Sequence, residues 1–243
     1  MDSELLGQIR RIHFDSRGTY GSPRVHRQLR RDKIRTGRKR VARLMRANGM
    51  HGRIRRRFRT TTDSEHSLPV APNILNRQFA VAAPDRVWAG DITYIPTRSG
   101  WCYLAVMLDL HSRMVVGWAL ANHMRTELIE SALVAALGAR EPSAELLHHS
   151  DRGSQYASCA YSAILEEHSI EVSMSRRGDC YDNAVVESFF GTLKQELVHH
   201  ARWTHLVDAR IALHDYLEVF YNRQRLHSSL GYRTPSEVDQ GAA

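Results

Sequence analysis

The stretch RRGDCYDNAVVESFFGTLKQEL, Arg176 to Leu197, constrains this chain most. Its polar loop leads to Asp182 and Asn183, either of which can cap a following helix by accepting from the first free backbone N–H groups. Val186, Phe189, Phe190, Leu193 and Leu197 then fall at i, i+3, i+4, i+7 and i+11, one buried stripe of a 3.6-residue helix. Glu187 lies off that stripe, with Gly191 and Lys194 following at i+4 and i+7, so a carboxylate, a gap and an ammonium run along a second face. A mid-helix glycine costs about 1 kcal/mol relative to alanine, which implies a close approach at Gly191. Alone, the same residues also read as a solvated charge face beside a packing glycine.

Two other stretches change that reading. RVWAGDITYIP, Arg86 to Pro96, is an apolar, β-branched strand carrying one acid, Asp91, in its middle. A carboxylate in so apolar a strand is costly unless a cation or donor meets it. AELLHHSDRGSQYAS, Ala144 to Ser158, reads as a short strand stopping at Asp151, then a glycine turn and a helix, the place where an α/β sheet displays functional side chains. Two strand carboxylates and one helix carboxylate are the oxygen ligands that a pair of Mg²⁺ ions requires. The separation of Asp151 and Glu187 does not single them out, because Asp109 and Glu145 stand equally far apart. Asp109 falls at a hairpin turn, DLHSR, where aspartate serves local backbone hydrogen bonds, and it is read as structural.

Charge divides the chain. Residues 1–60 hold nineteen Lys and Arg against four Asp and Glu, a balance of +15, whereas the remainder is net −7. One end is therefore built to meet a polyanion. It reads as a small helical unit: a helix through Leu5, Ile9 and Ile12, a second opened by Ser22 and Pro23, and a third, RKRVARLMRANGM, stopped at Asn48-Gly49. On the third helix Val41, Leu44 and Met45 face inward, and Arg38, Lys39, Arg43 and Arg46 form the basic exposed side, as in a helix-turn-helix module with its last helix in a DNA groove. Arg55, Arg56 and Arg57 follow in a basic tail suited to phosphates. Residues 61–84, rich in Thr, Ser, Asn and Pro, read as a linker. Residues 85–243 form the second domain, with strands and helices in the order β-β-β-α-β-α-β-α and then a C-terminal helix and tail, an α/β mixed sheet flanked by helices.

No run of eighteen apolar residues occurs and the N-terminus lacks the apolar segment of a signal peptide, so a cytoplasmic, nucleoid-associated protein with no membrane partner is expected. Cys102, Cys159 and Cys180 form no C-x-x-C pair, which argues against a disulfide framework or a zinc site, and the fourteen histidines are read as surface or core imidazoles.

Four segments, VWAGDITYIPT, HHSDRGSQYAS, GDCYDNAVVESFFGTLKQE and YNRQRLHSSLGYRTP, resemble the insertion-sequence transposases that share the retroviral integrase core, the DDE polynucleotidyl transferases. With the basic region before them, the likeness spans nearly the whole chain. It implies an RNase H-like fold, with Asp91, Asp151 and Glu187 as the metal-binding catalytic triad and Lys194 as the basic residue two turns beyond the glutamate. Arg176 and Arg177, in the loop before Glu187, are expected to meet DNA. Two departures stand out: Gly90 precedes the first aspartate, and Asp179 stands where asparagine is commoner. The resemblance further implies Mg²⁺ or Mn²⁺, two ions per active site with substrate, acting on terminal inverted repeats and target DNA. It also implies a homo-oligomer on DNA and an upstream-frame DNA-binding product. A non-catalytic regulator using the same core as a scaffold fits the charge and helix pattern equally. A general nuclease fits less well, given the dedicated helix-turn-helix region.

Overall fold

A computed structural model describes residues 2–53, 70–142, 145–177 and 179–241. Arg55, Arg56 and Arg57 lie outside the described residues. The basic N-terminal unit is three helices, α1 (Asp2–Asp15), α2 (Ser22–Arg31) and α3 (Arg38–Ala47). Leu5, Ile9, Ile12, Val25, Leu29, Val41, Leu44 and Met45 meet in its core, so the apolar periodicity of each helix determines which face turns inward. At the start of α2 it is Gly21 that occupies the cap position, with Ser22 already helical and Pro23 in the first turn.

The second unit is a five-stranded sheet in the order β3-β2-β1-β4-β5. β1 (Val87–Thr97), β2 (Gly100–Asp109) and β3 (Val115–Ala121) form an antiparallel meander, and β4 (Leu147–Ser150) and β5 (Glu171–Met174) add parallel to β1. β1 is central, and its alternation sends side chains to two cores. On one face Trp88, Ala105, Met107 and Val116 pack under α4 (Thr126–Arg140) and α5 (Cys159–Glu167). Gly117 makes that packing close: a Cβ there would lie 2.4 Å from the Ala132 carbonyl oxygen. On the other face Ala89, Ile95, Leu104, Val106 and Leu108 pack under α6 (Ala184–Glu196) and α7 (Leu206–His214), which continues as π-helical turns over Asp215–Tyr221. The N-terminal helices join this second core. The short α8 (Pro235–Gln240) closes the chain.

Residues 70–84, read from composition as linker, are strapped to the sheet. The Ile74 and Leu75 N–H groups donate to Ser173 Oγ, Met174 N–H donates to the Pro72 carbonyl, and Leu75 is buried. Asp182 holds the strap from below. Wholly buried, it accepts from Asn73 Nδ2 at 2.7 Å, Arg77 Nε at 2.8 Å, and the Arg176 backbone N–H and Nη2 at 2.9 and 2.7 Å. Asp182 is therefore a hydrogen-bond hub rather than a helix cap. Capping falls to Asp179, which accepts from Tyr181 N–H at the start of a 3₁₀ turn, Cys180–Asn183, that leads into α6.

The C-terminal tail is pinned to the core. Arg225 and Glu196 form a buried ion pair, with Arg225 Nη2 to Glu196 Oε1 at 2.7 Å and Nε to Oε2 at 2.8 Å, and Tyr216 donates its hydroxyl to the same carboxylate. The Tyr20 hydroxyl accepts from Leu226 N–H, and Arg24 Nε donates to the Leu226 carbonyl, so the tail also fastens the N-terminal unit.

Candidate active site and nucleic-acid interface

Register brings the two strand aspartates together. β1 and β4 are adjacent and parallel, with Ala89 opposite His149. Two residues further on, each segment carries an aspartate at the same level: Asp91 within β1, and Asp151 just past the end of β4. Asp91 shares the face of Ala89 and Ile95, the face that α6 covers. Glu187 sits in the first turn of α6, which packs against β1.

The charges act on one another. Burial pushes the Asp91 carboxyl well above the usual carboxylate range, the negative charge of Asp151 pushes it further, and Glu187 adds to this; the Ile92 N–H and the Lys194 ammonium oppose them. Lys194, two turns along α6 from Glu187, has its own pKa drawn down by burial, with Asp91 pulling the other way. Asp91, Asp151, Glu187 and Lys194 thus share one electrostatic neighbourhood. Tyr156, which the sequence did not single out, lies beside it: its hydroxyl is buried without a hydrogen-bond partner among the described residues, and burial followed by the charge of Asp91 raises its pKa.

Among the described residues, no three His, Cys, Asp or Glu side chains already enclose a position for one ion. Two carboxylates have an oxygen occupied by backbone: Asp91 Oδ1 accepts from Ile92 N–H at 2.7 Å, and Asp151 Oδ1 accepts from Gly153 N–H at 2.9 Å. The donor set still fits a hard divalent cation. It is all oxygen, its like charges repel one another, and Mg²⁺ is ordinarily held by one or two carboxylates with substrate phosphates completing its shell.

Gly90 has a structural explanation. A Cβ on it would lie 2.8 Å from Cε1 of His148, a buried ring held by Tyr161 through a 2.9 Å hydrogen bond. Both strand histidines are core imidazoles: burial lowers the His148 pKa to about 3 and that of His149 to about 4.

On α3, Arg38, Lys39, Arg43 and Arg46 are exposed, and Arg40 and Arg43 share Asp2 as an ion-pair partner. Arg176 and Arg177 are both exposed in the loop before α6, and Arg176 is bonded to Asp182.

A mixed sheet with helices on both faces and this carboxylate arrangement defines the class of integrase-core nucleotidyl transferases. Models of the integrase core domain match residues 81–180 and 168–235, and a model of an HTH-like domain matches residues 1–58. The chain is 45% identical to the 31 kDa protein of insertion element IS600 from Shigella sonnei, over 97% of this chain and 86% of that protein. It is 37% identical to the transposase of IS904 from Lactococcus lactis, over 99% and 95%, and 40% identical to the InsF transposase of IS3A from Escherichia coli, over 98% and 81%. The HTLV-2 integrase catalytic core in complex with magnesium superposes with a TM-score of 0.50 at 18% identity, covering 65% of this chain and 97% of that one. A simian T-cell lymphotropic virus intasome chain gives 0.55 at 15% identity, covering 95% and 74%. The chain belongs to the insertion-sequence transposases, the DDE polynucleotidyl transferases with an RNase H-like integrase core and an HTH-like DNA-binding region. No described helix is long and apolar enough to cross a membrane.

Proposed function

We propose that this transposase cleaves and joins DNA strands at Asp91, Asp151 and Glu187, which would hold two Mg²⁺ ions, or Mn²⁺ in their place, once substrate is bound. The observation that carries this reading is the shared level of Asp91 and Asp151 on adjacent parallel segments beneath the helix of Glu187. Bound there, divalent ions supply the Lewis acidity that makes water a nucleophile and stabilises a departing 3′ oxygen. The protein's own part is positional. The central strand fixes Asp91, the turn bond from Gly153 orients Asp151, and the partly desolvated Lys194 would contact a phosphate near the cut as a point charge. No serine, cysteine or tyrosine nucleophile is required, and the freed 3′-OH attacks a second strand in the same site.

The basic face of α3, with Arg38, Lys39, Arg43 and Arg46, reads the terminal inverted repeats. The tail bearing Arg55, Arg56 and Arg57 grips the flanking backbone, and Arg176 and Arg177 lie along the strand entering the site. In this reading residues 1–60 are the DNA-binding domain, 61–84 the connection and 85–243 the catalytic domain. The chain works as a homo-oligomer on paired ends, in the cytoplasm at the nucleoid, together with an upstream-frame DNA-binding product.

The test is to incubate the purified chain with duplexes carrying the element ends and Mg²⁺ or Mn²⁺, and to map the nicks. Asp91→Asn, Asp151→Asn and Glu187→Gln should each retain duplex binding and lose nicking. Unaltered nicking by Asp91→Asn would refute the site, and equal cutting of duplexes without element ends would identify a general nuclease instead.

A further inference from the structure

Between the outer side of α6 and the C-terminal tail lies a cavity of about 350 Å³. Arg24 reaches it from α2, Arg113 from the β2–β3 turn, and Arg225 and His227 from the tail; Ser188 and Thr192 of α6 and Ser228 and Ser229 of the tail add hydroxyl residues to the lining. It is thus built jointly by the DNA-binding region, the sheet and the helix of Glu187.

Among the described residues, one of its three guanidiniums has an ion-pair partner. Arg225 is paired with Glu196. Arg24 donates through Nε to the Leu226 carbonyl and Arg113 through Nη2 to the Phe79 carbonyl, and among the described residues neither has a carboxylate within ion-pair distance. Arg113 Nη1 is buried and has no hydrogen-bond partner among the described residues. A buried donor left unmade is costly, and so is a cluster of three guanidiniums in which one carboxylate, Glu196, is within ion-pair distance among the described residues. Burial lowers the pKa of Arg24 and of Arg113; Arg225 lowers that of Arg24 further while Glu196 opposes it, Tyr221 and Asp109 oppose the shift of Arg113, and His227 is held well below its ordinary value by burial and by all three arginines.

We propose that this cavity binds a phosphate group, which would meet the guanidiniums of Arg24 and Arg113 and supply the close counter-charge that neither has among the described residues. Planar guanidiniums with hydroxyls beside them suit the tetrahedral oxygens of a phosphate monoester, diester or free ion. Filling it would tie α2 to α6, so occupancy by a backbone phosphate would link seating of DNA on the N-terminal unit to the position of the helix bearing Glu187. The inference does not depend on the metal site.

The experiment is thermal unfolding of the full chain in EDTA, with chloride exchanged for inorganic phosphate at constant ionic strength. The midpoint of the unaltered protein should rise saturably, by about 3 °C at tens of millimolar phosphate. Arg113→Gln should lose most of that rise. Ser229→Asp, which places a carboxylate at the exposed mouth and disturbs no packing, should abolish it even if Arg113→Gln folds poorly. Phosphate also stabilises proteins non-specifically, and comparison with the variants removes that contribution. A saturating short duplex that suppresses the phosphate-dependent rise identifies a DNA backbone phosphate as the occupant; a rise that persists with duplex bound identifies the free ion. Equal rises in the unaltered protein and both variants, or no rise beyond that in chloride, would overturn the assignment.

Discussion

Arg225 and Glu196 face each other in the interior, two hydrogen bonds apart at 2.7 and 2.8 Å, with each side chain 5% exposed. The pair closes the junction of α6, the π-helical turns and the tail, and Tyr216 adds a third hydrogen bond to the Glu196 carboxylate. Removing one partner strands the other charge in low dielectric. Arg225→Ala should therefore cost about 3–5 kcal/mol in denaturant unfolding. Arg225→Lys should recover only part of it, because an ammonium cannot make the forked contact. A loss below about 1 kcal/mol for the alanine variant would show that the tail is not fastened here.

Gly90 and Gly117 set two close approaches with different consequences. Gly117→Ala would force a methyl into the Ala132 carbonyl oxygen and the Ala136 Cβ, 2.6 Å away, and should destabilise by about 3 kcal/mol. Gly90→Ala meets the hydrogen-bonded ring of His148 and displaces the strand next to Asp91. It should cost about 1–3 kcal/mol and reduce strand nicking more than duplex binding. Nicking and a gel-shift titration on the same preparation, below the unfolding transition, make the comparison.

His227 gives the protein an acid-sensitive element. It is buried, the ring of Tyr221 stands edge-on to it, and burial together with Arg225, Arg24 and Arg113 holds its pKa well below the ordinary value. In the unfolded chain the same imidazole titrates near pH 6.5. Below that pH the unfolded state binds a proton that the folded state refuses, so this residue's contribution to stability is intact above about pH 6.5 and declines as pH falls. Replacing His227 with Gln should flatten the pH dependence of the unfolding free energy by about 1.4 kcal/mol per pH unit on the acid side of that value. Parallel curves for the two proteins between pH 4.5 and 6 would contradict this.

Periodic features were legible in the sequence because they repeat over short distances. The stripe Val186, Phe189, Phe190, Leu193 is buried as its spacing requires, and the lone acid in the apolar strand ends up level with Asp151. Asp109 is structural, accepting from Ser112 N–H and Oγ and from Asp85 N–H. The misreadings share a cause: the deciding partner is remote in sequence. Asp182 looks like any aspartate before a helix, yet its ligands Asn73 and Arg77 lie more than a hundred residues upstream. Polar composition around residues 70–84 likewise conceals a segment bonded to Ser173. On α7, Ile211 and Leu213 are both apolar, but residues two apart do not share a helix face. The inward side is Ala209, Leu213, Tyr216 and Leu217, which leaves Ile211 67% exposed.

Asp182 permits a prediction on the loop that precedes Glu187. Arg176 and Arg77 hold its carboxyl well below the usual range, with Arg176 the larger influence. Its contribution is therefore present above the unfolded pKa near 4 and is lost as pH falls through the lower folded value. Asp182→Asn keeps the shape but removes the charge that Arg77 and Arg176 share. Limited proteolysis at neutral pH should then cut within 70–84 or 175–183 at least about tenfold faster, since local opening governs cleavage. Unchanged cleavage would mean that the strap is held by its bonds to Ser173, Met174, His111 and Arg113 without help from the Asp182 charge.

On α3, Asp2 competes with DNA. It pairs with both Arg40 and Arg43, so it holds both guanidiniums against a phosphate, whereas the exposed Lys39 and Arg46 have no such tie among the described residues. Lys39→Ala and Arg46→Ala should each weaken duplex binding and reduce the slope of log affinity against log salt by about 0.9. Asp2→Asn should act in the opposite sense, raising affinity at low salt and steepening the slope as Arg40 and Arg43 are released to phosphates. Because the effect is electrostatic, the Asp2→Asn gain should fade at high salt, where the Debye length is short. If the Asp2→Asn curve superimposes on that of the unaltered protein from 50 to about 300 mM salt, Arg40 and Arg43 do not carry phosphate contacts; if the Lys39→Ala and Arg46→Ala curves superimpose as well, the basic face of α3 carries none.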